Sequence, residues 1–141
     1  MPAFALPDPL SRHSQLVAAI RHHLPHTLAI YAFGSQVQGA AQADSDLDLA
    51  VLVAGYAPPL LLWELSGELA DLANCPVDLI DLRAASTVMQ FEVLRGARRL
   101  WAAGIEADLF ECYVMNEKLQ LDASRAGVLA DIRREGRVHA R

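Results

Sequence analysis

The sequence predicts an α/β domain in which a small mixed sheet is flanked by helices and followed by a long helical C-terminal region. Short apolar runs alternate with longer amphipathic stretches, and prolines and glycines stand at the boundaries between them. With 141 residues, the chain is expected to form a single domain. Its core would cover about residues 10–104 and its C-terminal helical region about residues 105–136.

Four short apolar runs predict the strands of the sheet. Each is rich in Val, Ile, Leu or Ala and is bounded by glycine, proline or polar residues. The sequence alone leaves their pairing order open. The predicted strands are Thr27 to Phe33, Asp46 to Val53, Pro76 to Leu82, and Arg98 to Ala102.

Apolar residues at helical spacing predict the helices between these strands. Proline occurs in the first turn of predicted helices, and glycine or proline follows their C-termini, as is usual at helix boundaries. The last segment fits either one long helix or two. The predicted helices are Asp8 to about Pro25, Ser35 to Ala41, Pro58 to Cys75, Ala84 to Arg95, and Ala107 to about Glu135.

Composition excludes several classes of protein. The N-terminal segment has no charged region before its apolar residues and is broken by prolines, so no signal peptide is expected. The longest apolar stretch, Ala57 to Trp63, is too short to span a membrane. Cys75 and Cys112 are expected to be reduced thiols of a cytoplasmic protein. The net charge of −5 argues against direct DNA binding and permits docking on a basic partner.

The most informative motif is a pair of carboxylates, Asp46 and Asp48, at the start of the second predicted strand. Residues two positions apart in a strand project to the same face, so these carboxylates would stand side by side. Leu47 and Leu49 would point the other way, into a core. Two neighbouring carboxylates repel each other unless a cation lies between them, and oxygen ligands of this kind suit Mg²⁺.

A Gly34-Ser35 turn precedes this pair, directly after the first predicted strand. It would supply backbone N–H groups and a hydroxyl at a helix start, where phosphate binds well. A Gly-Ser pair is commonly only a turn, and an Asp-x-Asp pair is commonly a solvated strand edge. Their combination, separated by the ten residues Gln36 to Ser45, favours metal-assisted transfer of a nucleotidyl group.

Gly34-Ser35, Gly39 and the run Ser45 to Leu49 resemble the signature of the polymerase-beta-like nucleotidyltransferase superfamily. More narrowly, the chain resembles the minimal nucleotidyltransferases, the MntA-like antitoxins of type VII (HEPN/MNT) toxin–antitoxin pairs. The layout agrees over about residues 10–120, and the specific part is residues 34–49. This resemblance implies the polymerase-beta-like fold.

The resemblance also implies a third metal-site carboxylate on a later strand, for which Asp78 and Asp81 compete. The family pattern places this acid after an apolar residue and before leucine, which favours Asp78 and leaves Asp81 as a solvated strand end. Ser35, with nearby backbone N–H groups, would hold the terminal phosphates of ATP. Asp46, Asp48 and Asp78 would bind two Mg²⁺ ions, and Asp78 would take the proton from the attacking hydroxyl.

The implied function is antitoxin activity by transfer of AMP from ATP to a tyrosine hydroxyl of a HEPN ribonuclease toxin. One alternative is a stand-alone nucleotidyltransferase that modifies a small molecule such as an aminoglycoside. Another is an antitoxin that neutralises by binding alone. The sequence has no obvious second domain for a small substrate, which favours a protein acceptor, and the intact motif favours chemistry over contact alone.

Overall fold

The computed structural model describes residues 13–34, 37 and 46–139 of the chain. Helices and strands alternate along this part, as the sequence predicts. In chain order the elements are α1 (His13–His23), β1 (Thr27–Phe33), β2 (Leu47–Val53), α2 (Pro59–Ala73), β3 (Val77–Asp81), α3 (Thr87–Arg95), β4 (Arg98–Ala102) and α4 (Glu106–His139).

The four strands form one mixed sheet in the order β3-β2-β1-β4. β1 pairs antiparallel with both β2 and β4. β2 pairs parallel with β3, and α2 provides the connection that a parallel pair requires. The predicted mixed sheet is therefore confirmed, with β3 at one edge and β4 at the other.

Each face of the sheet carries its own apolar core, because side chains alternate between the two faces along every strand. α1 and α2 cover one face, where Leu16, Ile20, Leu65 and Leu69 pack against the strands. We call this the first core. On the other face, residues of α3 and α4 pack against the strands and form the second core, which includes Val93, Ala107, Phe110 and Val114.

The boundaries of α2 and α3 follow local sequence signals. α2 has Pro59 in its first turn, and it ends at Asn74, whose φ of 56° places it in the left-handed region. The Ser86 side chain caps α3 by accepting a hydrogen bond of 3.2 Å from the Met89 N–H. Gly96 ends α3, as predicted.

The C-terminal region forms one helix rather than two. The first turns of α4 are anchored because Ala107, Phe110 and Val114 are buried in the second core. From Asp122 to Arg134 every residue is exposed. The predicted helix start at Asp8 and most of the predicted Ser35–Ala41 helix lie outside the described residues, although Val37 is helical.

Candidate active site

The last residue of β1 and the first residues of β2 and β3 lie at the same end of the sheet. Asp48, the second residue of β2, lies between β1 and β3. In the strand register, Asp48 pairs with Phe33 of β1 on one side and with Asp78 of β3 on the other. Asp46 precedes β2 by one residue. The fold therefore brings the two parts of the predicted acidic site, which are thirty residues apart in sequence, to adjacent positions.

The alternation of side chains directs these acids away from the first core. Leu47 and Leu49 are fully buried in that core, as predicted. Asp48 alternates with them and shares its face with Ala50, which belongs to the second core. Asp78 lies on the same face because Leu79, its neighbour, packs in the first core. Asp46 and Asp78 are exposed, and Asp48 is half-buried.

The electrostatics of Asp48 show that the three carboxylates influence each other. Burial raises the pKa of Asp48 above its usual range, and the negative charges of Asp78 and then Asp46 raise that pKa further. In the described part of the chain, no lysine, arginine or histidine forms an ion pair with any of the three. The fold thus holds uncompensated negative charge at this position.

Position 34 requires a glycine because its backbone lies against the side chain of Asp48. Its φ of +80° lies in the left-handed region, which disfavours residues with a Cβ. A Cβ at this position would also overlap the Asp48 carboxylate. Glycine therefore allows the backbone after β1 to pass directly beside the central acid. Ser35, the other predicted phosphate-binding residue, lies outside the described residues.

The prediction that Asp81 is a solvated strand end is wrong. Its side chain is only 8% exposed. Its two carboxylate oxygens accept hydrogen bonds from the backbone N–H groups of Ala57, at 2.8 Å, and Arg83, at 3.1 Å. Asp81 thus ties the β2–α2 loop to the turn after β3, and it faces away from Asp48 because it alternates with Ile80 along the strand.

The donor set of this site fits a hard cation. It consists of carboxylate oxygens, which Mg²⁺ prefers, and these charges lack protein counter-ions among the described residues. In the described ranges, no three acidic, histidine or cysteine side chains lie close enough together to hold a metal ion, so Asp46, Asp48 and Asp78 do not by themselves form a three-ligand metal group. This arrangement suits Mg²⁺, which commonly binds one or two carboxylates together with waters and the phosphates of a substrate.

Two features of the site were not predicted from the sequence. The contact between Gly34 and Asp48 depends on the antiparallel pairing of β1 with β2, which the sequence left open. The role of Asp81 depends on Ala57, a residue far away in sequence. The only local signal for it was an acid after an apolar strand, and this pattern is equally typical of a solvated end.

The family model for polymerase beta nucleotidyltransferases matches residues 15–103 of the chain. This match includes the whole sheet and all three aspartates of the candidate site. The chain belongs to the polymerase beta nucleotidyltransferase family.

Within this family, the chain is a homologue of MntA. It is 34% identical over 119 residues to the protein adenylyltransferase MntA of Shewanella oneidensis, which covers 84% of this chain and 86% of that protein. A crystal structure of a toxin–antitoxin complex with AMP-PNP contains a chain that is 34% identical, with a TM-score of 0.75 and coverage of 84% of this chain and 96% of that one.

A second solved structure contains the tri-AMPylated Shewanella oneidensis HEPN toxin in complex with its MNT antitoxin. The similarity has 30% identity and a TM-score of 0.72, over 88% of this chain and 98% of that one. These comparisons confirm the predicted fold and family. None of the helices in the described ranges has the length and hydropathy needed to cross a membrane.

Proposed function

We propose that this protein is the antitoxin of a HEPN/MNT pair and that it transfers AMP from ATP to a tyrosine hydroxyl of its HEPN ribonuclease toxin. The supporting observation is the pairing of Asp48 with Asp78 beside Gly34, with Asp46 one residue before β2, in a chain similar to MntA over most of its length. The AMP-PNP complex of one relative and the AMPylated toxin bound to another support ATP as donor and the toxin as acceptor.

Asp46 and Asp48 would hold Mg²⁺ beside the nucleotide, and Asp78 would join them in holding a second ion. When bound, the metal would neutralise the charge that accumulates on the phosphates during transfer. The raised pKa of Asp48 supports this assignment, since burial and two neighbouring acids give that carboxylate an electrostatic reason to accept a cation.

The remaining chemistry belongs to residues around the metal site. Backbone N–H groups of the Gly34-Ser35 turn and the Ser35 hydroxyl would hold the terminal phosphates of ATP. A carboxylate oxygen of Asp78 would accept the proton from the tyrosine hydroxyl. The tyrosine oxygen then forms a bond to the α-phosphorus, the bond from that phosphorus to the bridging oxygen breaks, and pyrophosphate leaves.

Modification would inactivate the toxin through charge and bulk. A ribonuclease must bind a polyanion, and a nucleotide attached near its active site adds negative charge where RNA phosphates bind. Neutralisation by binding alone and modification of a small molecule are the alternatives. Both predict that the toxin gains no mass.

The decisive experiment is intact mass spectrometry of the unmodified toxin after incubation with this protein, ATP and Mg²⁺. The expected result is a mass gain of one or more adenylyl groups that is lost in the Asp46→Asn/Asp48→Asn double variant. Asp71→Asn, which changes an exposed aspartate of α2, is the matched control and should keep the activity. A stable complex with no mass gain would instead indicate neutralisation by binding.

A further inference from the structure

A solvent-open groove of about 450 Å³ runs between α2 and the beginning of β3. Its walls include Trp63 and Glu64 from α2 and Pro76, Val77 and Asp78 from the strand. Small residues of α2 form the part between these walls. Because β3 is the edge strand of the sheet, no further strand covers this side among the described residues.

The groove is continuous with the candidate active site through Asp78. The same residue lies in the groove wall and stands next to Asp48 in the strand register. Because α2 lies on the face of the first core and the Asp78 carboxylate projects to the other face, a chain bound in the groove would reach this carboxylate by crossing the β3 edge. The groove is thus placed on the acceptor side of the site rather than on the side of Gly34.

Trp63 is the most exposed large apolar side chain of the described residues, at 74%. The other tryptophan makes a useful contrast, because the guanidinium of Arg21 lies 4.2 Å from the centre of the Trp101 ring and covers it. In the described part of the chain, no cation or aromatic ring stacks on Trp63. Exposed tryptophans are favoured as anchors at protein interfaces, since they bury a large area when a partner binds.

The charge of the groove indicates the kind of partner. Among the described residues that line the groove, Glu64 and Asp78 are the charged ones, and none is a lysine, arginine or histidine. The surface of an RNA-cleaving toxin near its active site must be basic, because it binds RNA phosphates. An acidic groove with an uncovered indole complements such a surface, and a lysine or arginine can stack on the indole face.

We propose that this groove binds the acceptor segment of the toxin, a basic segment that carries the modified tyrosine, and that Trp63 determines specificity for it. The inference rests on the proposed function and adds to it the surface that selects the acceptor. Trp63 acts by positioning the segment and takes no part in the chemical step.

The test is a steady-state comparison of AMP transfer by the wild type and Trp63→Ala. The variant should raise the KM for the toxin by about tenfold or more, as loss of an interface anchor does, and leave the KM for ATP and the unfolding temperature unchanged. Tyr56→Ala is the matched control because this loop aromatic is 70% exposed and lies outside the groove. A KM for the toxin that stays within about twofold of the wild type overturns the proposal.

A second measurement locates the acceptor directly. A photocrosslinking amino acid at position 63 should attach to the toxin peptide that carries the modified tyrosine. Attachment to another peptide, or the absence of attachment in a complex that does form, overturns the proposal.

Glu64→Lys should also raise the KM for the toxin, since it places a positive charge against a basic segment. If the wild type itself transfers no AMP, the proposed function fails, and position 63 still reports by crosslinking whether the groove binds the toxin.

Discussion

Asp78 and Asp81 lie three residues apart on the same short strand, and their surroundings are opposite. Asp81 is buried and both of its oxygens accept backbone hydrogen bonds. Asp78 is exposed and stands beside Asp48, whose pKa it raises. A buried acid with satisfied oxygens stabilises a fold, whereas a group of acids without counter-ions costs stability and is retained for binding or catalysis.

The largest expected effect is a loss of AMP-transfer activity when Asp78, but not Asp81, is changed. Asp78→Asn should lower kcat for AMP transfer by about 100-fold or more, since the variant would lose both the proposed base and a proposed metal ligand. Its unfolding temperature should not fall, because Asp78 is exposed and its removal relieves repulsion of Asp48. Rates of toxin modification at saturating ATP, with thermal unfolding measured in parallel, give the answer. Wild-type activity in this variant would remove Asp78 from the site.

The complementary change at Asp81 should act on stability. Asp81→Ala leaves the N–H groups of Ala57 and Arg83 without their acceptors, and should lower the free energy of unfolding by about 2–3 kcal/mol. Once the folded fraction is taken into account, its kcat should remain within a few-fold of the wild type. Denaturant unfolding and single-turnover assays at low temperature measure the two quantities. A folded but inactive Asp81→Ala would show that the two acids share a catalytic role.

Gly34 can be tested against a second glycine of nearly the same conformation. Gly34→Ala and Gly55→Ala both place a Cβ at positive φ, near +80° in each case, which costs about 1–2 kcal/mol. The Gly55 position is open, whereas a Cβ at position 34 overlaps the Asp48 carboxylate. Only Gly34→Ala should therefore weaken Mg²⁺ binding and AMP transfer. Equal activity in the two variants would contradict the proposed contact.

Removing a carboxylate from the active site should stabilise the protein in the absence of metal. Asp48→Asn removes a half-buried charge that two neighbouring acids repel, and should raise the free energy of unfolding modestly because solvent screens part of this repulsion. Added Mg²⁺ should raise the unfolding temperature of the wild type and have a much smaller effect on the variant. Asp71→Asn, measured under the same conditions, should behave like the wild type. A destabilised Asp48→Asn would mean that this charge is compensated in the native protein.

The smallest expected effect concerns Tyr31, a buried polar group of the second core. Its hydroxyl makes no hydrogen bond of standard length to a described residue, although the side chains of Arg99 and Glu111 lie near enough to affect its pKa. Burial, and then the charge of Glu111, raise the pKa of Tyr31 from 10.0 to about 12. Between these two pH values the folded state holds a proton that the unfolded state has released, so stability falls as pH rises.

Tyr31→Phe should remove this part of the alkaline decline and leave stability below pH 10 unchanged or higher by up to about 1 kcal/mol, because it deletes an unsatisfied hydroxyl. Urea unfolding across this pH range measures both effects. Tyr113→Phe, which changes an exposed tyrosine, should keep the wild-type profile. A clear loss of stability in Tyr31→Phe at neutral pH would mean that its hydroxyl is hydrogen-bonded.

The sequence was sufficient for what depends on neighbours along the chain. Alternation at Leu47 and Leu49 correctly predicted the strand and the direction of Asp48 away from the first core, and the family pattern favoured Asp78, which the fold places beside Asp48. The environment of Asp81 could not be predicted, since its partners come from the loop after β2 and the turn after β3. Tertiary contacts decide whether the oxygens of a buried acid accept hydrogen bonds, and local sequence patterns do not contain this information.

Helix α4 has a consequence for the local dynamics of the chain. From Asp122 to Arg134 every residue is exposed, so only hydrogen bonds of the helix itself and ion pairs such as Lys118–Asp122 and Asp131–Arg134 hold these turns. A helical segment without tertiary packing is marginally stable in water. Amide hydrogens in this segment of the free protein should therefore exchange with solvent much faster than those near Val114, which report opening of the second core.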